Sequence, residues 1–195
     1  MEFSQLCDRI RACEQCKAIL PLGANPVFRA SPQAKILIAG QAPGIRVHES
    51  SIPFNDPSGK RLRQWMDIDE EMFYDETKIA IIPMGFCYPG TGKNGDLPPT
   101  PQCQASWHPL LLPKLTAIRL ILPIGIYAHQ YHLAGQRKKN LTETVKHWRD
   151  YAPKAIPLPH PSPRNNRWLK NNPWFETETL PFLKRAVKAA LFDDK

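Results

Sequence analysis

Short runs of apolar residues recur along the chain and are predicted to be buried β-strands. Residues 35–40 and 79–83 form the first two runs, and residues 120–125 and 155–158 form the other two. Each run is continuous and does not alternate with polar residues, which is typical of strands covered on both faces. The pattern therefore predicts four strands of a mainly parallel sheet.

Segments between these runs carry the spacing and end signals of helices. The predicted helices are residues 3–18, 58–66, 104–115, 126–134, 141–148 and 177–192, and residues 86–101 are predicted to be a Gly/Pro-rich loop. The alternation favours an α/β fold, with three α/β/α layers around a central, mainly parallel four-stranded sheet. We expect a single domain over residues 1–195.

Composition and charge limit the kinds of partner and the cellular compartment that we expect for this protein. The 195 residues are 42% hydrophobic and carry a formal net charge of +8, which favours a polyanionic partner, nucleic acid first. No run of about 18 apolar residues predicts a membrane span, and the first residues do not resemble a signal peptide. We therefore expect a cytoplasmic protein whose five cysteines are reduced, metal-bound or catalytic.

The most informative segment is the proline-framed loop, residues 158–165, with the sequence Leu-Pro-His-Pro-Ser-Pro-Arg-Asn. Each proline fixes φ and favours an extended conformation in the residue before it, so His160 cannot lie inside a helix. The loop follows a predicted strand and is expected to present His160 outward. The alternative is a proline-rich surface turn without chemistry.

Residues 40–44, Gly-Gln-Ala-Pro-Gly, form a tight turn after the first strand, and in isolation they suit any strand-to-helix turn. Together with Phe54 and the His-Pro-Ser of residues 160–162, this turn resembles the uracil-DNA glycosylase superfamily. The turn is most similar to that of the iron–sulfur-containing bacterial and archaeal type. The Arg-Asn at residues 164–165 is similar to the single-strand-selective type.

The resemblance implies a role for each part of the site. His160 would donate a hydrogen bond to the departing uracil, and Phe54 would stack on the flipped base above the turn that contains Gly40 and Ala42. Ser162 would hold a phosphate. The loop that enters the gap left by the flipped nucleotide would comprise Arg164, Asn165, Arg167 and Trp168. The alternatives are core packing for Phe54 and Trp168 and a solvated surface for the arginines.

Four cysteines occur in two groups with the spacing of metal ligands. Cys13 and Cys16 form a C-x-x-C pair, and Cys87 and Cys103 are separated by 15 residues across the Gly/Pro-rich loop. Four thiolates suit a [4Fe–4S] cluster or a structural zinc ion, whereas the first pair alone suits a redox pair or no function. The resemblance implies a structural [4Fe–4S] cluster on these four, with Cys7 left over. Zinc or an empty site are the alternatives.

The water-activating residue is where the chain departs from the pattern that it resembles. Gln41 stands where the similar turn has Glu, and Pro83 or Met84 stands where most relatives have an Asn that reads the base. The candidates to orient water are His48, Glu49 and Asp56, for each of which a plain surface position is the alternative. Gln41 could also orient water through its amide or backbone.

The resemblance implies a monofunctional DNA glycosylase that flips uracil or a related deaminated base, hydrolyses its N-glycosidic bond and leaves an abasic site. The alternative is a nucleic-acid-binding protein of the same fold with altered specificity or no catalysis. We expect a monomer that acts on DNA in the cytoplasm, associated with the bacterial nucleoid and not with a membrane.

Overall fold

The strands of the computed structural model form one parallel sheet and one small hairpin, within the described residues 1–93 and 95–193. Strands β1, β2 and β5 form the sheet in the order β2–β1–β5, and β3 pairs with β4 in antiparallel fashion. Their bounds are Ile36–Ala39 (β1), Ile79–Ile81 (β2), Thr91–Gly92 (β3), Gly95–Asp96 (β4) and Leu120–Pro123 (β5).

Strand β1 is the centre of the sheet. Ile36 is in register with Ile79 of β2 on one side and with Leu120 of β5 on the other, and both pairs are parallel. Every residue of β1 is buried. This confirms the prediction that the continuous apolar runs are strands covered on both faces.

The prediction of a continuous fourth strand is wrong in detail. Residues 155–158 lie parallel to β5 but contact it through two isolated bridges, between Ile121 and Ala155 and between Ile124 and Leu158. The Leu158 N–H donates to the Pro123 carbonyl at 2.9 Å. The residues on either side of Leu158 are prolines and have no N–H to donate, so a continuous hydrogen-bonded ladder does not form.

Helices cover both faces of the sheet. They are α1 (Phe3–Arg11), α2 (Ile45–Ser50), α3 (Pro57–Met66), α4 (Glu70–Tyr74), α5 (Gln102–Ser106), α6 (His108–Leu111), α7 (Gly125–His132), α8 (Leu141–Lys146), α9 (Asn166–Asn171) and α10 (Leu180–Phe192). Ile36 and Ile38 pack in one core with α3 and α10, whereas Leu37 packs in a second core with α1 and α6. The predicted three-layer α/β/α arrangement is therefore confirmed.

Several predicted helices are shorter or broken. Helix α1 ends at Arg11, because apolar residues at helical spacing bury its inner face only as far as Ile10. The predicted helix 104–115 is divided into α5, α6 and a 3₁₀ turn near its prolines, which cannot donate to the preceding turn. The hairpin β3–β4 lies inside the segment predicted as a plain loop.

No helix of the described residues has the length and apolar character needed to cross a membrane. The single domain over residues 1–195 stays a prediction, and residues 94, 194 and 195 lie outside the described part of the chain.

Two histidines are fully buried near the ends of the strands. His108 Nε2 lies 3.1 Å from the Pro83 carbonyl, and His129 Nε2 lies 3.1 Å from the carbonyls of both Pro123 and Leu158. Carbonyl oxygens only accept, so each Nε2 carries a proton. Each Nδ1 is buried, has no partner among the described residues and is bare. Burial lowers the pKa of each imidazole to about 4.

We predict that the free energy of unfolding decreases as the pH falls from about 7 towards 4, because the unfolded chain binds protons on these imidazoles near pH 6.5 and the folded chain does not. Each histidine accounts for up to about 3 kcal/mol at the acid end. Urea unfolding at a series of pH values measures the effect.

The variant His129→Gln retains an amide N–H for the two carbonyls but does not titrate, so its stability should depend less steeply on pH. The same pH dependence in this variant and in the unsubstituted protein would contradict the assignment.

Candidate active site

A cavity of about 570 Å³ opens at the carboxyl end of the parallel strands. Its walls come from the turn after β1, the segment before α3, the hairpin β3–β4 and the proline-framed loop. The carboxyl ends of parallel strands meet at one edge of a sheet, which is why segments distant in sequence converge here.

Nine of the candidate site residues from the sequence line this cavity. They are Gly40, Gln41, Ala42, Phe54, Asp56, His160, Ser162, Arg164 and Asn165. Thr91, Gly95 and Asp96 of the hairpin also line it, and none of these three was predicted from the sequence. The Gly-rich composition of residues 90–95, which is typical of tight turns, is the sequence signal that could have identified the hairpin.

The proline-framed loop fixes the orientation and tautomer of His160. The Ser162 N–H donates to His160 Nδ1 at 3.1 Å, so the proton of the neutral ring is on Nε2. Asn165 Nδ2 donates to the His160 carbonyl at 2.7 Å, and Arg61 donates to the Ser162 carbonyl at 3.2 Å. The imidazole is therefore a fixed hydrogen-bond donor at the cavity wall.

The electrostatic environment favours the neutral form of His160. Burial lowers the pKa of the imidazole below its ordinary value, while the nearby carboxylates of Asp56 and Asp96 act in the opposite direction. The Arg164 guanidinium adds to the lowering. At neutral pH the ring is thus an uncharged donor.

Phe54 lies across the turn that follows β1. Its Cζ is 3.6 Å from the position that a Cβ on Gly40 would occupy, and its ring centroid is 6.1 Å from that of Phe73 in an edge-to-face arrangement. Its φ of +56° is in the left-handed region, which is uncommon for a bulky side chain and costs roughly 1–3 kcal/mol. The Tyr74 hydroxyl donates to the Pro53 carbonyl at 2.9 Å and holds this segment in place.

Gln41 joins the turn after β1 to the hairpin. Its Nε2 donates to the Leu97 carbonyl at 2.9 Å and lies 3.4 Å from the Asp96 carbonyl. On the other side of the hairpin, Arg164 Nη1 lies 2.8 Å from the position of a Cβ on Gly95, so a larger residue there would displace the guanidinium. The hairpin therefore contacts both walls of the cavity.

Four of the predicted catalytic and DNA-binding residues do not line the cavity. Glu49 is exposed on α2, and His48 lies beside Tyr88 with 6.1 Å between ring centroids. Arg167 is exposed on α9. Trp168 donates through Nε1 to Thr142 Oγ1 at 2.8 Å and packs against the main core, which matches its packing alternative.

Comparison with known proteins shows which family the chain belongs to. The model of the uracil DNA glycosylase superfamily matches residues 28–184. The chain belongs to this superfamily. It is also similar to the NMR structure of a protein from Methanosarcina acetivorans that is provisionally named a uracil DNA glycosylase. The identity is 16% and the TM-score 0.46, over 83% of this chain and 98% of that one.

The superfamily match includes the turn at residues 40–44, Phe54 and the proline-framed loop. It begins after Cys13 and Cys16, so the first pair of cysteines lies outside the matched region. The closer similarity to the iron–sulfur-containing type stays a prediction.

Two of the five free cysteines of this superfamily member have raised pKa values to which other cysteines contribute. Burial raises the pKa of the Cys87 thiol to about 11, and Cys103, Cys16 and Cys13 act in the same direction. Burial also raises the pKa of Cys103, and Cys16 and Cys13 add to this effect. Burial also raises the pKa of Cys7, but the charged groups that act on it are Arg11, Asp8 and Glu76 and not the other cysteines.

Two N–H groups point at these sulfurs. The Phe86 N–H donates to Cys103 Sγ at 3.4 Å, and Trp107 Nε1 donates to Cys13 Sγ at 3.3 Å. Hydrogen bonds of this kind tune ligating thiolates in iron–sulfur proteins. Within residues 1–93 and 95–193, no three His, Cys, Asp or Glu side chains are arranged so that they could hold a metal ion.

We predict that Gly59→Ala destabilises the protein and displaces Phe54. A Cβ on Gly59 would overlap the Phe54 carbonyl and crowd its Cβ. Alanine gains about 1 kcal/mol as a helix former, but the overlap should outweigh this gain, with a net loss of about 1–3 kcal/mol. Urea unfolding measures the change.

Gly135→Ala is the matched control, because a Cβ there meets no atom within 4 Å. Its stability should stay within about 0.5 kcal/mol of the unsubstituted protein. Equal stability of the two variants would show that the close approach of Phe54 to α3 does not constrain the site.

Proposed function

We propose that this superfamily member is a monofunctional DNA glycosylase that removes uracil or a related deaminated base. The base would leave the duplex and enter the cavity, since its glycosidic bond is unreachable inside the stack. Water would then replace the base at the sugar and leave an abasic site. The observation that carries this proposal is the fixed Nε2–H of a neutral His160 in a cavity that also contains Phe54.

The departing base carries the electrons of the broken bond, so its O2 becomes negative. A pre-oriented N–H donor stabilises such an anion without reorganisation, and one donor of this kind contributes roughly 10²–10³ in rate. His160 suits this role, because Ser162 occupies Nδ1 and leaves the Nε2–H for the base. Burial favours the neutral imidazole, so the ring donates without carrying a charge.

Phe54 and Gly40 are suited to hold the base. The ring of Phe54 gives an aromatic face for stacking, which any base accepts. Pro83 lines the cavity at the end of β2, and its carbonyl already accepts from His108. Proline has no N–H, so it does not read the edge of uracil as an Asn side chain would. This favours a base preference that differs from that of most relatives.

The DNA strand would pass along the proline-framed loop. Ser162, Arg164 and Asn165 line the cavity, and Arg61 supports the loop from α3. The net charge of +8 suits a polyanion. Among the described residues no lysine lines the cavity, so we propose hydrolysis by water without an imine intermediate. We propose a cytoplasmic, nucleoid-associated monomer.

We predict that single-turnover release of uracil, hypoxanthine or xanthine from oligonucleotides depends on the Nε2–H of His160. His160→Asn retains an acceptor near the Nδ1 position for Ser162 but removes the donor, and should slow release by about 10²–10³. His160→Gln places an amide N–H near the Nε2 position and should retain more of the rate. Alkaline cleavage of the product strand measures release.

Equal rates for the two variants would contradict the role of Nε2. The second candidate function is DNA binding without catalysis, which Pro83 also favours. Salt-sensitive binding without release of any of the three bases, unchanged by His160→Ala, would replace the glycosylase proposal with this one.

We also propose that Cys13, Cys16, Cys87 and Cys103 hold a structural [4Fe–4S] cluster, with zinc as the alternative. Each thiolate of such a cluster binds a different iron, so its ligands surround a larger volume than those of a single ion. The effects of Cys13 and Cys16 on the pKa values of Cys87 and Cys103 support this ligand set, as do the N–H groups directed at Cys103 and Cys13. Binding would replace the thiol protons that burial retains.

We predict that protein purified without oxygen is brown and contains about four irons per chain. Cys87→Ala should lose the visible absorption and the iron, whereas Cys7→Ala should retain both. Metal analysis with a visible spectrum checks this, and a zinc-containing or metal-free colourless protein would contradict the cluster.

A further inference from the structure

The cavity contains two carboxylates among the described residues, Asp56 and Asp96. Hydrolysis needs a group that accepts a proton from water, and a carboxylate near the sugar is suited to that task. Asp56 Oδ1 accepts from the Gly59 N–H at 2.9 Å and forms the N-cap of α3. Asp56 therefore has a structural role at the start of α3 through Oδ1.

Asp96 is oriented by a short chain of hydroxyl groups. Thr91 Oγ1 donates to Asp96 Oδ1 at 3.0 Å, and the Tyr88 hydroxyl lies 2.7 Å from Thr91 Oγ1. A threonine hydroxyl has one proton, so Tyr88 is the donor to Thr91. The buried Tyr88 therefore fixes Thr91, and Thr91 fixes one oxygen of the carboxylate.

The second oxygen of Asp96 lies at the turn after β1. Asp96 Oδ2 is 3.6 Å from the position of a Cβ on Gly44, and Gln41 holds the backbone of the hairpin against the same turn. A side chain at residue 44 would occupy the space in front of Oδ2, which glycine leaves open. One oxygen is thus anchored, and the other is available to a water molecule.

Asp96 and His160 belong to the same cavity. The negative charge of Asp96 raises the pKa of His160 against the larger effect of burial. The carboxylate is on the hairpin, and the imidazole is on the proline-framed loop. The two groups therefore approach a bound nucleotide from different walls of the cavity.

We propose that Asp96 is the general base of the hydrolysis, an inference that rests on the proposed glycosylase activity. Its Oδ2 takes a proton from water as the water oxygen bonds to C1′ of the sugar. The C1′–N bond breaks, and its electron pair leaves with the base, whose O2 accepts from His160. The base then takes up one proton, so one water is consumed per base and abasic site formed.

Single-turnover kinetics with a saturating uracil oligonucleotide test this role. Asp96→Asn retains an acceptor for Thr91 but loses the charge, and should slow base release by about 10²–10⁴. Its affinity for the same oligonucleotide should change by less than about threefold, since the loss is confined to the chemical step. Asp8→Asn, in an exposed ion pair with Arg11 on α1, is the control and should retain the full rate.

Chemical rescue distinguishes the loss of a catalytic carboxylate from a structural defect in the variant. Formate added to Asp96→Ala can replace the missing carboxylate, so the rate should recover with formate, whereas His160→Ala should not respond. A full rate in Asp96→Asn, or a large loss in Asp56→Asn without one in Asp96→Asn, would overturn the proposal and leave the glycosylase function in place. An unsubstituted protein that releases no base would overturn both.

Discussion

The site depends on how the proline-framed loop is held, because its prolines remove the backbone donors that would anchor an ordinary strand. Side-chain hydrogen bonds hold the loop together with the backbone bonds that remain at Leu158 and Asn165. The Nε2–H of His129 lies within hydrogen-bond distance of the carbonyls of both Pro123 and Leu158. This side chain therefore links the end of β5 to the first residue of the loop. Asn165 and Arg61 then hold the carbonyls that follow. With these contacts the rigid backbone positions His160 against the cavity.

The segment between Cys87 and Cys103 forms the other half of the site. It carries the hairpin, which contacts the turn after β1 through Gln41 and the proline-framed loop at Gly95. Cys87 packs in one cluster with Cys16, and Cys103 packs in another to which Cys13 belongs, so the proposed cofactor would fix both ends of the segment. It would then stabilise the position of Asp96 without taking part in the chemistry.

Much of the fold follows from local sequence, because continuous apolar runs form buried parallel strands whose ends converge. That reasoning brings Gly40 and His160 to one edge of the sheet, whereas the position of Phe54 beside them was implied by the family resemblance. It failed where tertiary contacts decide: the ladder of residues 155–158 is interrupted by prolines, and Trp168 satisfies its N–H with Thr142. Asp96 was missed because its role depends on a hairpin that only long-range contacts with Gln41 place beside the cavity.

The charges in the cavity suit the charges that form when a glycosidic bond breaks. The sugar becomes positive and the departing base negative, so carboxylates belong near the sugar and neutral donors near the base. Asp56 and Asp96 would stabilise the positive sugar, while a neutral His160 would stabilise the base without attracting phosphate into the base site. Both carboxylates repel phosphate, so the strand should be held at the Arg164 side of the cavity. The two carboxylates raise the pKa of His160, and burial lowers it by more, so the imidazole stays neutral beside them.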